Sequence, residues 1–524
     1  MIEDFTDRLL RDVARLDPYA AVADSGEPDA DGLTDYSPDG HQARADLAAT
    51  ALRQLESVPA TGPLHAHLTE RLRTRIDLHD AGEDLRELHT AATGPLQLIR
   101  RCVEAAVPGR DTAGAAHEDG WARVAARQAA IPAALDGYAR SLRLAADRGH
   151  RPARRQVDLA IQRCHDWADE DLTLAQRYGD GPHRASLLAA AQSAQKAYHQ
   201  LALILKEDLG PRARAEEAFG PQRYALWVRA FLGAEPDLRE LYKWGWDEFT
   251  AIEAQLVAEA GGNVPEALDR LDRPDAPGVL PSRAAFGAWL QELLDATTER
   301  LHGTHFDIPA PLRRIESRVT VSAGTGYARP SRDLTRPGRV TWFLPGSQTN
   351  FPTWRAYSVV YHEGVPGHHL QVGAEACRGG PGQRLNLLGG LSASQEGWAL
   401  YAERFMDEIG HYEQPGARLG YLFSQLLRAA RVVLDIGLHL RLWTPDAALR
   451  LLRERCHQGV YAPLELARYL GRPGQALTYK VGERVWLAGR ASFRGDFHRR
   501  ALDVGSLGLD SLTRTLAADP PYAS

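Results

Sequence analysis

Apolar residues recur at helical spacing along this chain from about position 40 to 260. Leu64, Leu68, Leu72 and Ile76 show the pattern, because side chains three or four residues apart lie on one face of an α-helix. Short segments with glycine and proline interrupt the pattern and supply turn conformations that helices exclude. The first half of the chain is therefore predicted to be a succession of amphipathic helices.

A different pattern occupies residues 270–355, where prolines cluster and β-branched and aromatic residues appear. Two short strands are predicted at 318–321 and 339–344, as a small sheet or a hairpin. The helical pattern then returns from about residue 354 to the end. We expect a mainly α fold with a small β element, and the residues that suggest chemistry all follow position 318.

Charge and cysteine content exclude several classes of protein. With 62 basic and 68 acidic residues among 524, the net charge is −6, and no basic tract indicates binding to nucleic acid or to an anionic membrane. No apolar run approaches the roughly 20 residues of a membrane span, and the acidic N-terminus is unlike a secretory signal. The four cysteines are far apart, which indicates neither disulfides nor a cysteine metal site. We expect a cytoplasmic protein, with no indication of its oligomeric state.

The densest group of chemically active side chains is His362, Glu363, His368 and His369. In the zinc peptidase motif HExxH, two histidines four residues apart bind the metal from one helical face and the glutamate activates the attacking water. Here the spacing is longer, and in an ideal helix His369 would lie about 10.5 Å along the axis from His362. We predict that a two-residue bulge at Val365–Gly367 brings His368 into the ligand position, with His369 as the alternative ligand. A histidine-rich helix break without metal is the other interpretation.

A third ligand is expected from a separate helix, and Glu396 and Glu403 are the candidates because they lie on the same helical face. Glu396 is preferred, since the adjacent Gly397 would let the backbone approach the metal. Glu403 is interpreted as a residue that holds a histidine ring, or as a solvated residue.

A stripe of polar residues follows one face of an otherwise apolar helix, predicted over about 421–442. Such a stripe faces either ion-pair partners or a wet cleft, because unpaired buried charge is costly. In the second case Arg428 or Arg431 would bind a substrate carboxylate. The stripe consists of Ser424, Arg428, Arg431, Asp435 and His439, and we include His439 among the candidate substrate-binding residues.

Hydrolysis of an amide creates an oxyanion, which a tyrosine hydroxyl or a cation opposite the metal can stabilise. Tyr479 is the stronger candidate for this role and Lys480 the weaker; a core position for Tyr479 is the alternative. Lys480 is one of only four lysines in the chain, so a compact ammonium group is expected to matter there and Lys480→Arg to be damaging.

Several long motifs occur together in one order. They are His362 to Gln371, Glu396 to Glu403, Arg428 to His439 and Pro473 to Lys480. In these motifs, and in its opening from Phe5 to Ala20, the chain resembles the bacterial domain-of-unknown-function 885 family. The resemblance covers nearly the whole chain, which implies a single unit over 1–524. Within it, helices of 1–300 would form one wall of a cleft, and 301–524 would form the catalytic portion.

The resemblance implies a large helical metallopeptidase fold of the gluzincin type, with the small sheet or hairpin beside the active-site helix, and a carboxypeptidase or dipeptidase activity. The His362–Leu370 segment is also similar to the metal-binding core of thimet-oligopeptidase-type zinc peptidases, with two residues inserted. That likeness supports His362, His368 and Glu396 as ligands of one zinc ion and Glu363 as the base. It also implies that Arg339–Leu344 is an edge strand on which an extended substrate aligns.

The leading hypothesis is a zinc-dependent hydrolase that cleaves an amide bond in a small peptide or peptide-like substrate. Two alternatives remain open. One is a metal-dependent tailoring enzyme that acts on an amino-acid-derived small molecule in specialised metabolism, and the other is a noncatalytic ligand-binding protein.

Overall fold

The computed structural model of the protein describes residues 2–20, 32–59, 62–86, 88, 94–108, 114–321, 325–331, 333–379 and 381–518. This part of the chain is mainly α-helical with a two-stranded and a three-stranded sheet, which confirms the predicted fold class. Local sequence explains several helix starts: Ser37 and Thr444 each accept a backbone N–H as N-caps, and a proline follows each of them.

The helices before the three-stranded sheet form the first half of the fold. They are α1 Ile2–Leu16, α2 Pro38–Leu55, α3 Gly62–Asp80, α4 Pro95–Ala105, α5 Ala115–Asp147, α6 Arg154–Gln176, α7 Arg184–Ile204, α8 Pro221–Leu232, α9 Leu238–Glu259, α10 Val264–Leu271 and α11 Arg283–Leu301. A π-helical turn, Leu205–Leu209, and the short helix Gly210–Arg212 continue α7.

The remaining helices carry the candidate metal-binding, catalytic and substrate-binding residues that the sequence singles out. They are α12 Ala356–Glu363, α13 His368–Arg378, α14 Ser392–Glu408, α15 Ala417–His439, α16 Pro445–Glu454, α17 Ala462–Gly471, α18 Thr478–Ser492, α19 Phe497–Val504 and α20 Leu509–Ala517. Short 3₁₀ helices lie at Ala310–Arg313, Pro381–Leu388 and Gly459–Tyr461.

The strands form small sheets, one of the two predicted arrangements, and not a hairpin. They are β1 Val279–Leu280, β2 Ile315–Thr320, β3 Gly326–Ala328, β4 Gly338–Phe343 and β5 Phe351–Pro352. The two predicted strands, β2 and β4, run parallel, and parallel neighbours cannot be joined by a tight turn. The connection between them carries β3, which pairs antiparallel with β4 and gives the order β2-β4-β3. The edge strands are therefore β2 and β3, with β4 between them, and the edge position expected of Arg339–Leu344 is corrected. Of these two, β3 lines the cleft described below.

Buried apolar side chains of the described residues pack in three clusters. One joins α4 to α7, one joins α1 to α3 with Leu385 and Leu391, and the largest extends from Tyr224 to Leu516. Helices α8 to α11 thus share the core of the later part of the chain. The change from one core to the next lies near residue 220. The division near residue 300 into a cleft wall and a catalytic portion stays a prediction.

Candidate metal centre

A sharp turn separates α12 from α13 and brings His368 back beside His362. Helix α12 ends at Glu363, α13 begins at His368, and the Gly367 N–H donates to the carbonyl of Tyr361 at 3.0 Å. A Cβ atom at Gly367 would lie 1.9 Å from the His362 carbonyl oxygen, so only glycine fits this close approach. The predicted two-residue bulge is therefore a complete break between two helices, and the two imidazole rings are 4.7 Å apart.

Glu396, near the start of α14, completes a group of three donors. One ligand atom from each of His362, His368 and Glu396 lies within 4.8 Å of the others, and among the described residues this is the group with metal-binding geometry. Glu396 Oε2 is 3.2 Å from His362 Nε2 and 3.7 Å from His368 Nε2. Donors about 2.0–2.1 Å from a tetrahedral zinc ion are separated by about 3.4 Å, so the three residues fit such an ion.

His369, the alternative ligand, points away from this group. Its Nε2–H donates to the Leu312 carbonyl at 2.8 Å, which leaves Nδ1 to accept from the Tyr327 hydroxyl at 3.0 Å. Burial lowers the pKa of His369 to about 4, so the ring is neutral as this pattern requires. The expectation that His369 could bind the metal is corrected, because both of its ring nitrogens already form hydrogen bonds within the protein.

Glu403 lies fully buried on α14 and orients the first histidine. Its Oε1 accepts from His362 Nδ1 at 2.7 Å, which directs Nε2 of the same ring towards Glu396. The other oxygen of Glu403 accepts from the Ser358 hydroxyl and from the Gln425 amide. Supporting carboxylates of this kind fix the tautomer and orientation of metal-binding histidines.

The local charges favour a cation between these side chains. Burial alone would lower the pKa of His362, but hydrogen bonds to Glu396 and Glu403 outweigh burial and raise it to about 10. Burial alone would raise the pKa of Glu396, but His362 and His368 bring it well below its usual value. Positive charge is thus stabilised at the position that a metal ion would take.

The three donors line a cleft of about 690 Å³, which is within the range of ligand-binding sites. Glu363 and Tyr479 line the same cleft, as does β3 with its flanking residues Thr325 and Arg329. Burial raises the pKa of the Glu363 carboxyl, with His368 and His362 opposing the shift. The ring of Tyr479 lies roughly parallel to that of His362 at 6.4 Å.

The polar stripe on α15 divides between the cleft and the core. Arg428 and Arg431 line the cleft, and Arg431 forms a two-pronged ion pair with Glu465 at 3.1 and 3.2 Å. Asp435 and His439 are fully buried further along the helix. Both interpretations of the stripe therefore apply, each to a different part of it.

His439 is corrected as a substrate-binding candidate. Its ring stacks on Tyr224, and its Nε2–H donates to the carbonyl of Tyr469 at 3.0 Å. The helical phase placed it correctly on one stripe with Arg428, but helix α8 covers that end of the stripe. His439 is accordingly part of the core.

Lys480 is also corrected, because its side chain does not line the cleft, unlike that of Tyr479. Its side chain is fully buried, and Nζ donates to Glu483 at 2.7 Å and to Glu248 at 3.0 Å. Arg404 bridges the same two carboxylates. The lysine thus belongs to a buried ion-pair network and does not reach the cleft.

We expect Lys480→Met to lower stability by about 1–3 kcal/mol, because it removes one of the two cations that pair with Glu483 and Glu248, and to leave kcat of the folded protein unchanged. The shift of the urea denaturation midpoint measures the effect. Lys243→Met, at an exposed lysine, is the matched control and should shift the midpoint little. A Lys480→Met protein of normal stability with impaired turnover would instead support the original role.

Several residues that contact the candidate centre were not predicted from the sequence. Ser358 lies four residues before His362 on the same helical face, so its contact with Glu403 was recoverable from spacing. Gln425 and Tyr327 reach the site from α15 and β3, and no local pattern marks them. Gly397 acts differently from the expectation: a Cβ there would lie 2.4 Å from Gly482 Cα, so it permits close packing of α14 on α18 rather than an approach to the metal.

Among the described residues, no helix is both long enough and apolar enough to cross a membrane. Two solved structures share the fold over almost the whole chain. A "putative lipoprotein" from Colwellia psychrerythraea superposes with a TM-score of 0.81 at 20% identity, covering 98% of both chains. A "putative lipoprotein of unknown function" from Shewanella oneidensis gives 0.71 at 16% identity, covering 98% of this chain and 99% of the other. The cytoplasmic location stays a prediction.

A search of curated proteins matches none to this chain. The family model described as "Bacterial protein of unknown function (DUF885)" matches residues 19–516. This range includes the metal-centre residues and the described residues that line the cleft. The chain therefore belongs to the DUF885 family of bacterial proteins.

Proposed function

We propose that the protein is a metal-dependent hydrolase, with zinc as its ion, that cleaves an amide bond in a small peptide or peptide-like substrate. The observation that carries the proposal is the convergence of His362, His368 and Glu396 within 4.8 Å, beside Glu363, in an open cleft. Two imidazoles and one carboxylate are the donor set of a catalytic zinc site, which keeps a position for water. The similarity of the His362–Leu370 segment to thimet-oligopeptidase-type zinc peptidases supports the same class.

Each residue of the chain has a distinct task in this proposal. His362, His368 and Glu396 hold the ion, which when bound lowers the pKa of water and polarises the scissile carbonyl. Glu363 accepts a proton from the attacking water and passes it to the leaving amine. Its raised pKa suits this exchange, because a general base works best when its pKa is near the working pH.

The remaining cleft residues would position the substrate. Tyr479 would stabilise the developing oxyanion. Its hydroxyl accepts a hydrogen bond from Arg468 at 3.3 Å. Arg428 and Arg431 would face a substrate carboxylate, which favours a peptide with a free C-terminus. Strand β3 is bonded to β4 on one side only, so its other edge can pair with an extended substrate backbone.

Metal removal tests the proposal directly. Purified protein is expected to contain about one zinc ion per chain and to hydrolyse members of a dipeptide and tripeptide library. Dialysis against a chelator should abolish turnover, and added zinc should restore it. Undiminished turnover after complete removal of metal would refute the mechanism, and ligand binding without any turnover would favour a noncatalytic protein.

A further inference from the structure

A second cavity, on the side of the molecule where the two larger cores meet, is surrounded by arginine. The cavity has a volume of about 40 Å³ and is lined by Glu83, Arg86 and Leu88, by the start of α6, by the segment around α8 and by the end of α17. Among the described residues, five arginines and one carboxylate line this space, namely Arg86, Arg151, Arg214, Arg223, Arg472 and Glu83. Its lining shares no residue with the lining of the metal cleft.

Two of these arginines already form ion pairs with the carboxylate of Glu83. Arg223 pairs with Glu83 through both oxygens, at 2.7 and 2.9 Å, and Arg86 also donates to Glu83. The indole N–H of Trp227 donates to it as well, at 2.9 Å. Glu83 therefore has little capacity left to neutralise Arg214 and Arg151, which also line the cavity.

The excess of positive charge in this cavity affects Arg214 strongly. Burial, together with the nearby Arg223 and Arg86, lowers the pKa of its guanidinium to about 10. Its Nη1 donates to the Ala218 carbonyl, but its Nε–H is buried without an acceptor, and so is the Nε–H of Arg86. Buried cations and donors of this kind are costly unless an anion accompanies them.

From this arrangement we infer that the cavity binds a small tetrahedral oxyanion of the phosphate or sulfate class. At roughly 10–15 Å³ per water molecule, the space holds about three waters, which is room for such an ion and not for a nucleotide. Arginine forks match the oxygen spacing of these ions. The enclosure by protein also excludes a polymer such as nucleic acid.

The inference is independent of the proposed hydrolase activity, so its test uses binding rather than turnover. Inorganic phosphate is titrated at constant ionic strength, and affinity and Tm are measured by calorimetry and thermal unfolding. A saturable Tm increase of about 3 °C is expected when phosphate exceeds its Kd roughly hundredfold. Sulfate should act similarly. An equal response to chloride, or none to phosphate, would overturn the inference.

Two variants locate the effect. Arg214→Gln and Arg151→Gln should each weaken phosphate binding by about tenfold or more, because each removes a charge-assisted donor. Arg151 is exposed, so its variant should fold normally, and a Tm without phosphate at or above that of wild type would show the relief of repulsion. Arg484→Gln, at an arginine outside the cavity, is the control and should keep wild-type affinity. Full phosphate affinity in both cavity variants would place the ion elsewhere and refute the site.

Discussion

Glu363→Gln is expected to lower kcat by about 1000-fold while the protein keeps its metal and its fold. Glutamine preserves the size of the side chain but cannot accept a proton, and general acid–base groups contribute about 10²–10⁴-fold to turnover. Glu363 is not among the three clustered donors, so metal content should stay at about one ion per chain. Steady-state kinetics on the best peptide of the library, with elemental analysis of the same sample, measure both quantities.

The chain offers a close control for this experiment in Glu375. This glutamate lies on α13, is also buried, and also has a pKa raised by burial, but it accepts from the Ser506 backbone N–H and does not line the cleft. Glu375→Gln should therefore retain kcat. Near wild-type turnover in Glu363→Gln would remove the proposed base, and an equal loss in both variants would point to general structural damage.

His368→Ala and His369→Gln are expected to have opposite effects on metal binding. Loss of His368 removes one of the three donors, so zinc affinity should fall by more than about 100-fold, the upper range for loss of a supporting residue alone. His369→Gln should keep the metal, because both ring nitrogens of His369 bond to the protein. Zinc titration in the presence of a competing chelator gives the two affinities.

For thermal stability, we expect the larger effect in His369→Gln and the smaller effect in His368→Ala. His369 is fully buried. Its hydrogen bonds link α13 to the Leu312 carbonyl, which precedes β2, and to Tyr327 on β3, so its replacement should lower Tm. His368→Ala should leave the Tm of the metal-free protein nearly unchanged, since His368 lies at the cleft. Retention of zinc by His368→Ala, or its loss from a folded His369→Gln, would reverse the assignment of the second ligand.

The local sequence was sufficient for much of the fold and for the types of residue at the site. Apolar spacing predicted the mainly α architecture, because helix periodicity is a property of near neighbours along the chain. The Pro-Gly at 366–367 similarly predicted the interruption of the helix, which ends at Glu363 and resumes at His368. Glu396 was preferred over Glu403 because of the adjacent Gly397, a reason that the packing of Gly397 against Gly482 does not support. The hydrogen bond from His362 to Glu403 does match the supporting role expected of Glu403.

Other properties depended on contacts between residues far apart in the chain. The choice between His368 and His369 follows from the Leu312 carbonyl, 57 residues away, which takes one ring nitrogen of His369. Lys480 donates to Glu248, 232 residues away, and so does not reach the cleft. No local pattern encodes that partner. The edge position of β3 likewise follows from the parallel pairing of β2 with β4. Helical phase specifies which side chains share a face, but what covers that face is decided only when distant segments pack.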